Sequence, residues 1–266
     1  MRLGGLARWR TVWRAGAAAV LSLGLVLGLL AAPAGAQEQS LPGGFSADQA
    51  QGIERIVRDY LLANPEVLVE ALTEYQQRQK LAEEQSRQQA IGQRHSELTQ
   101  DPATPVLGNP EGDVVMVEFF DYRCPYCKTV AKMVKDEVAS DGNVRLVMKE
   151  FPILGPQSVQ AARAALAAAM QDKYEVFHFA LMIQPGDMSD AHIETVAEQV
   201  GLDVPRMRRD MTSNEIEDAL ARNVALAETI GIRGTPAFII GKTLVPGAID
   251  TETLRQIIAE ERARSS

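Results

Sequence analysis

Cysteine is the scarcest informative residue in this chain, because only Cys124 and Cys127 occur among 266 residues. Two cysteines are too few for a framework of structural disulfides. Histidine is almost as rare, with three residues scattered far from the cysteines and from one another, so no zinc-site spacing is present. Basic clusters are also missing and the net charge is −8. These absences disfavour nucleic acid and anionic lipid as partners.

The first 36 residues are typical of a cleavable export signal. Four arginines precede an uncharged apolar run, residues 15–30, and Ala34-Gly35-Ala36 supplies a cleavage site. An uncleaved membrane anchor is the alternative, because no charge occurs between Arg14 and Glu38. Small residues at the cleavage site favour removal, and we therefore predict an exported, periplasmic protein. Loss of four of the 27 basic residues leaves 23 against 35 acidic ones, a mature net charge of −12 without tryptophan.

Both cysteines follow directly on an apolar stretch with strand composition. Val114 to Phe120 is rich in β-branched and aromatic residues, and Cys124-Pro125-Tyr126-Cys127 then opens a predicted helix. At a helix N-terminus, unpaired N–H groups and the helix dipole stabilise the thiolate of Cys124. Cys127, one turn further in, can resolve a mixed disulfide at Cys124. The pattern predicts a redox pair with Cys124 as the attacking thiol.

Two other interpretations of the cysteine pair stay open. In the first interpretation the two cysteines form a permanent structural disulfide. In the second, their two thiolates bind Cu(I). Zinc needs four ligands and the motif supplies two, so we predict no bound metal and no cofactor. The methionines are dispersed at core-like spacing and do not form a copper-binding cluster.

Residues 37–100 are predicted to form an N-terminal helical segment that drives oligomerisation, with a spacer. Ser46 and Gln49 have the spacing of a capping box, and an apolar stripe with helical period follows it. Asn64-Pro65 is expected to end that helix and begin another. Gln76 to Leu98 is so polar that we expect a solvated spacer or disorder there. The stripe either docks on its own domain or, as we favour, on other copies of the chain.

Residues 101–266 are predicted to form the catalytic domain. The strand from Val114, a helix from Cys124 and a strand from Val144 to Phe151 form a βαβ unit with parallel strands. Only helices are predicted from about 156 to 230. A strand at Pro236 to Ile240, a short antiparallel partner and a closing helix complete the domain.

Three features of the chain resemble the DsbA-like thioredoxin-fold family. They are the sequence FFDYRCPYC at Phe119 to Cys127, the later Gly234-Thr235-Pro236, and the helical stretch between them. The resemblance covers about residues 103–263. It implies an α/β thioredoxin-like fold with an inserted helical domain, preceded by an N-terminal helical extension. That extension is similar in layout to the suppressor-of-copper-sensitivity C proteins, which assemble through it and act as disulfide isomerases.

The resemblance also assigns residues to the site. It implies a cis peptide bond before Pro236, with Thr235 and Pro236 beside the CxxC offering backbone groups to a substrate peptide. It implies that Glu118 is a buried acid beneath the cysteines that relays the proton of Cys127, although a solvent-facing edge position is the alternative. Asp121 is the weaker candidate. Tyr126 replaces the His of the strongest oxidants, so we expect a milder oxidant whose Tyr126 contacts substrate.

We therefore predict a periplasmic thiol–disulfide oxidoreductase acting on cysteines of exported proteins, as a disulfide isomerase in an oligomer. A homo-oligomer, with a trimer as one arrangement, and a membrane redox partner that resets the CxxC are the expected partners. A monomeric dithiol oxidase of the same family is the first alternative. A Cu(I)-binding or copper-tolerance protein is the alternative from another class.

Overall fold

A computed structural model describes residues 44–184 and 187–265. The predicted export signal, residues 1–36, lies outside the described residues. Across the described ranges, no helix combines the length and the apolar character needed to cross a membrane. The described chain divides into two units, one up to Val67 and the other from Leu68 onward.

The smaller unit contains helix α1, Ala47–Ala63, which begins at the predicted capping box. Ser46 Oγ accepts a hydrogen bond from Gln49 N at 3.3 Å, and Gln49 Oε1 accepts one from Ser46 N at 3.0 Å. These bonds satisfy two backbone donors that the first turn leaves unpaired. No side chain of α1 is buried, and the exposed apolar residues of the predicted stripe are Ile53, Ile56, Val57 and Tyr60.

A five-stranded sheet with the order β1-β3-β2-β4-β5 lies in the larger unit. The strands are Val106–Gly108 (β1), Val114–Phe120 (β2), Val144–Glu150 (β3), Ala237–Ile240 (β4) and Thr243–Pro246 (β5). Strand β2 pairs with parallel β3 on one side and with antiparallel β4 on the other. The strand that leads into the cysteines is therefore the central one, and the predicted βαβ unit is confirmed.

Helix α4, Pro125–Asp141, connects β2 to β3. It ends at Gly142, whose positive φ of 74° is the conformation that a glycine adopts without a Cβ penalty. The predicted helical insertion follows β3, and helix α10 follows β5. The insertion helices and α10 are Pro156–Ala169 (α5), Tyr174–Ile183 (α6), Asp190–Gln199 (α7), Val204–Asp210 (α8), Asn214–Thr229 (α9) and Thr251–Ser265 (α10).

The two faces of the sheet carry separate cores, because successive side chains of a strand point to opposite faces. Met116 and Phe120 of β2 pack with residues of α4, α5, α6 and α10. Val117 and Phe119 pack on the other face, where Leu226 of α9 joins them. Glu118 follows this alternation and therefore shares the α4 face with Met116 and Phe120.

The sequence predicts a solvated spacer or disorder from Gln76 to Leu98, and the structure differs there. Helix α2, Glu66–Gln93, is continuous and largely exposed, and a short helix α3, His95–Thr99, follows it. Ile91 and Leu98 are buried in the core that contains Val117 and Phe119. Two large apolar side chains are enough to anchor the end of this polar stretch, because they pack against the sheet in the same core as Leu226 of α9.

Two basic side chains of β3 hold helix α3 in place. Lys149 Nζ donates to the carbonyl oxygen of Glu97 at 2.9 Å, and Arg145 Nη1 donates to that of Thr99 at 2.6 Å. The last carbonyl groups of a helix lack intrahelical partners, and cations stabilise that negative end. Burial lowers the pKa of Lys149 to about 8, against the attraction of Asp101.

Replacing Leu98 with alanine should lower the free energy of unfolding by about 2–4 kcal/mol, because a buried leucine leaves a cavity. Leu81 lies on the exposed part of α2, and Leu81→Ala should change the stability by less than about 0.5 kcal/mol. Urea unfolding of both variants measures the difference. Equal, small effects would contradict the packing of Leu98 in the core.

Candidate active site

Cys124 is the N-cap residue of α4, and Pro125 is the first helical residue. The backbone of Cys124 is extended, and its N–H donates to the carbonyl oxygen of Asp121 at 3.0 Å. Pro125 has no N–H, which is tolerated here because the first turn would leave that donor unpaired. The sulfur of Cys124 therefore lies at the positive end of α4, where unpaired N–H groups attract negative charge.

The loop before β4 lies against Cys124, although 111 residues separate them in sequence. Cys124 Sγ donates a hydrogen bond to the carbonyl oxygen of Thr235 at 3.2 Å. The Thr235–Pro236 peptide bond is cis, as the resemblance implies. Pro236 is buried and Thr235 is half-buried. The fold thus brings the predicted peptide-binding residues to the predicted attacking thiol.

Cys127 lies one turn inside α4 and has no exposed surface, whereas Cys124 is 4% exposed. Both cysteines are free thiols. Burial raises the pKa of the Cys127 thiol well above its ordinary value, and the negative charge of Glu118 adds to this effect. Both cysteines are therefore shielded from solvent, the inner one completely, and burial opposes ionisation of the inner sulfur.

Glu118 is buried in the centre of the sheet, with 4% of its surface exposed. It lies opposite Met148 of β3 and Phe238 of β4 in register. Burial alone raises the pKa of Glu118 from 4.5 to about 8. The solvent-facing alternative is wrong, because β2 is a central strand with both neighbours paired.

Asp121 has a structural role that sequence reasoning missed. Its carboxylate accepts hydrogen bonds from Arg123 N at 2.7 Å, Leu154 N at 3.0 Å and Ser158 Oγ at 2.8 Å. These donors come from the loop before Cys124, the loop after β3 and the start of α5. Asp121 therefore fastens the cysteine loop to the insertion.

Tyr126 and the two flanking cations lie around the cysteines in different ways. Tyr126 is 66% exposed, so its ring is available to a bound peptide. Arg123 donates through Nη1 to the carbonyl oxygen of Leu154, and Lys128 Nζ donates to that of Leu181 at 3.2 Å. Both cations thus bind backbone carbonyl groups rather than the sulfur atoms.

A second buried polar cluster includes residues of the cysteine loop, β3 and α6 and was not singled out from the sequence. It consists of Tyr122, Glu150, Tyr174 and His178, joined by hydrogen bonds. Two signals point to it in retrospect. Glu150 ends β3 on the face of its apolar residues Leu146 and Met148, as Glu118 interrupts the apolar β2. Tyr174 and His178 have i, i+4 spacing on an apolar helix.

The described residues hold no group of three or more His, Cys, Asp or Glu side chains arranged for a metal ion. Cys124 and Cys127 supply two sulfur ligands, and Glu118 is an acid whose charge acts on Cys127. The donor set therefore offers two thiolates and no complete cage.

Two family models match the chain. The DSBA-like thioredoxin domain matches residues 115–259. The copper resistance protein ScsC N-terminal domain matches residues 49–82, which cover most of α1 and the first half of α2.

Solved structures show the same fold. A thioredoxin-like oxidoreductase from Silicibacter pomeroyi is 47% identical, with a TM-score of 0.62 over 64% of this chain and 98% of that one. Proteus mirabilis ScsC in a transitional conformation is 32% identical, with a TM-score of 0.63 over 83% of this chain and 100% of that one. A periplasmic thioredoxin-like protein from Salmonella enterica is 31% identical, with a TM-score of 0.58 over 64% and 95%.

Curated relatives include longer proteins of a different overall architecture. The chain is 29% identical over 151 residues to a Na(+)/H(+) antiporter of Salinispora tropica. That match covers 56% of this chain and 23% of the antiporter, so the chain spans about a quarter of the length of this relative. With the CxxC at the start of α4, the cis proline beside it and both family models in place, the chain belongs to the DSBA-like thioredoxin-domain family and carries a ScsC-type N-terminal domain.

Proposed function

We propose that this protein catalyses thiol–disulfide exchange on the cysteines of exported proteins, as a disulfide isomerase in an oligomer. The observation that carries the proposal is the Cys124 thiol at the start of α4, 3.2 Å from the carbonyl oxygen that precedes a cis proline. Cys127 lies buried one turn behind it. This arrangement suits an attacking sulfur at the start of the helix and a second sulfur behind it that resolves the mixed disulfide.

In the first step the thiolate of Cys124 attacks a substrate disulfide. A bond forms between Cys124 Sγ and one substrate sulfur, and the other substrate sulfur leaves as a thiolate that takes up a proton. Isomerisation is completed when a different substrate thiolate attacks this mixed disulfide and releases Cys124. In the second route Cys127 loses its proton and attacks Cys124 Sγ, which forms the Cys124–Cys127 disulfide and releases the second substrate thiolate.

Thr235 and Pro236 are proposed to bind the substrate backbone, as an added strand would. Thr235 is half-buried and its carbonyl oxygen lies 3.2 Å from Cys124 Sγ. Tyr126 follows Cys124 by two residues and is exposed. Tyr126 supplies an apolar contact without a positive charge, so we expect a less oxidising pair than one with a cationic neighbour.

Glu118 is proposed to accept the proton of Cys127 during the second route. The inner sulfur must ionise in an environment that opposes ionisation, and water does not reach it. A carboxyl group with a pKa near 8 can both take and return a proton at neutral pH.

Exposed apolar side chains on α1 and on the start of α2 support assembly. Ile56, Leu62, Val69 and Leu72 are each at least 60% exposed, and rows of such residues mark interaction surfaces. Several reduced sites held in one assembly suit the shuffling of substrate disulfides. A monomeric dithiol oxidase is the alternative within the family.

Export to the periplasm and a membrane redox partner complete the proposal. The N-terminal signal pattern supports export, and the Salmonella enterica structure is described as periplasmic. A reduced pair is needed for isomerisation and an oxidised pair for oxidation, so the partner that resets the cysteines decides the direction.

Cys124 should react before Cys127 when the reduced protein is alkylated near pH 7, by about tenfold or more, because Cys127 is buried and hard to ionise. Peptide mapping at short times measures the order. Cys127→Ala should then trap mixed disulfides with exported proteins, and Cys124→Ala is the matched control that should trap none. Equal alkylation rates of the two cysteines would contradict the assignment of Cys124 as the attacking thiol. Failure of Cys127→Ala to trap any mixed disulfide, together with Cu(I) binding by the wild type, would contradict the redox function.

Glu118→Gln should change the pH dependence of stability. The carboxyl group has a pKa of 4.5 ordinarily and about 8 in the fold, so between these values the unfolded chain ionises while the folded chain keeps its proton. Wild type therefore loses stability as the pH rises from about 4.5 to 8, by an amount on the order of 5 kcal/mol that the glutamine variant does not lose.

Urea unfolding at several pH values measures this difference, with the exposed Glu111→Gln as control. The same Glu118 variant should form the Cys124–Cys127 disulfide roughly tenfold more slowly, because Cys127 lacks its proton acceptor. A stability difference that stays constant with pH would refute the raised pKa. An unchanged rate of disulfide formation would refute the relay.

Three serine substitutions in the stripe of α1, at Ile56, Val57 and Tyr60, should convert the oligomer to a monomer. The monomer should still oxidise dithiols but lose most of its ability to refold scrambled ribonuclease from the reduced state. Serine at the polar positions Arg55, Arg58 and Asp59 is the matched control. Light scattering measures mass, and an unchanged oligomer would exclude the stripe as the interface.

A further inference from the structure

Two buried acids lie on the same face of the sheet beneath the cysteine loop. Glu118 belongs to β2 and Glu150 ends β3, where it lies opposite Phe120 in register. Alternation of side chains sends Lys149 to the opposite face and Glu150 to the face of α4. The proposed exchange chemistry uses Glu118 alone, which leaves Glu150 without a role.

Glu150 is 1% exposed and is held by two phenols. Its Oε1 accepts from Tyr174 Oη at 2.9 Å and lies 3.1 Å from Tyr122 Oη, while Oε2 has no partner among the described residues. Tyr122 Oη also lies 2.9 Å from Nδ1 of His178. His178 packs edge-on against Phe120 and stacks on Tyr174. The result is one continuous chain of polar atoms from Glu150 through Tyr122 to His178.

The groups that face this chain supply little positive charge. The acids Glu118 and Asp121 come from β2 and the loop that follows it, and Lys135 comes from α4. The side-chain amide of Asn223, on α9, donates to the backbone oxygen of Glu150 at 3.2 Å. In the part of the chain that is described, no Lys or Arg forms an ion pair with Glu150. Lys135 acts on His178, where its charge opposes protonation.

These surroundings favour uncharged forms at both ends of the chain. Burial raises the pKa of Glu150 well above its ordinary value, more than the two phenols lower it. Burial lowers the pKa of His178 to about 3. A neutral carboxylic acid is a hydrogen-bond donor, and a neutral histidine has one nitrogen that accepts. In such a chain Glu150 donates to Tyr122 and Tyr122 donates to His178, so each of these two contacts joins one donor to one acceptor.

We propose that Glu150 is a positioning residue for the redox reaction: as a neutral acid it donates to Tyr122, which donates to His178, and this chain holds the loop that carries Cys124. The inference rests on the proposed exchange function. Tyr122 lies between Asp121, which fastens the loop to the insertion, and Arg123. The two buried acids thereby differ in role, since Glu118 gains and loses a proton while Glu150 keeps its own.

Replacing Glu150 tests the donor role through a conservative rescue. Glu150→Leu should slow the reaction of reduced protein with oxidised glutathione by about tenfold, since the loop loses its anchor. Glu150→Gln retains a donor of the same shape and should recover the rate to within about threefold of wild type, with the pH profile unshifted. A glutamine variant as slow as leucine, or one with a shifted pH profile, would overturn the neutral-donor role.

The two phenols form a matched pair for the link to the loop. Tyr122→Phe and Tyr174→Phe each remove one hydroxyl group from the same carboxyl oxygen, but of these two hydroxyl groups only that of Tyr122 bonds to His178 and belongs to the cysteine loop. Tyr122→Phe should slow exchange as the leucine variant does, and Tyr174→Phe should stay near wild type. Equal effects of the two would show that the cluster only stabilises the fold.

The direction of the chain can be measured in the wild-type protein. Nitrogen-15 NMR should show His178 neutral with its proton on Nε2, because Nδ1 accepts from Tyr122. A proton on Nδ1 would reverse the chain and refute the donor role of Glu150. If the wild type lacks exchange activity, the proposed function fails, and this tautomer measurement still decides the state of the chain.

Discussion

The alternation of side chains along β2 and β3 is the constraint on which the site depends. Because successive residues point to opposite faces, the apolar positions of β2 divide between two cores and Glu118 is carried onto the face of α4. The same rule separates Lys149 from Glu150 on β3. A shift of one residue in either strand would move its acid to the opposite face, and in β3 it would bring Lys149 to the face of α4 in place of Glu150.

Burial without a compensating cation explains the electrostatics of this face. Charged forms are disfavoured at Glu118, Cys127 and Glu150 because all three are buried, and a negative charge on Glu118 further opposes ionisation of Cys127 and of Glu150. Ionisation of more than one of these groups at a time is therefore disfavoured. A proton that leaves Cys127 therefore needs a nearby acceptor, and the structure offers a carboxyl group whose pKa lies near neutrality.

In the N-terminal extension, average composition does not predict which residues are buried. The stretch from Gln76 to Leu98 has the polarity of a spacer, and most of it is indeed exposed. Its last residues nevertheless join the larger unit, because Ile91 and Leu98 fill one face of the sheet and Arg145 and Lys149 bind the end of α3. Burial of these two apolar side chains positions the end of the stretch although its average composition is polar. Hydrophobic periodicity measured over a long window does not detect two isolated apolar residues.

The sequence by itself determined the βαβ unit, the bounds of β2, the capping box at Ser46 and the cysteine pair at the start of a helix, because each depends on neighbours within a few residues. Resemblance added the cis bond at Pro236 and the acid at Glu118. Only the tertiary structure decided that Thr235 touches Cys124, that Asp121 ties three segments together and that Glu150 joins Tyr122 and His178. These contacts link residues far apart along the chain, so burial and hydrogen bonding there follow from packing that no local pattern encodes.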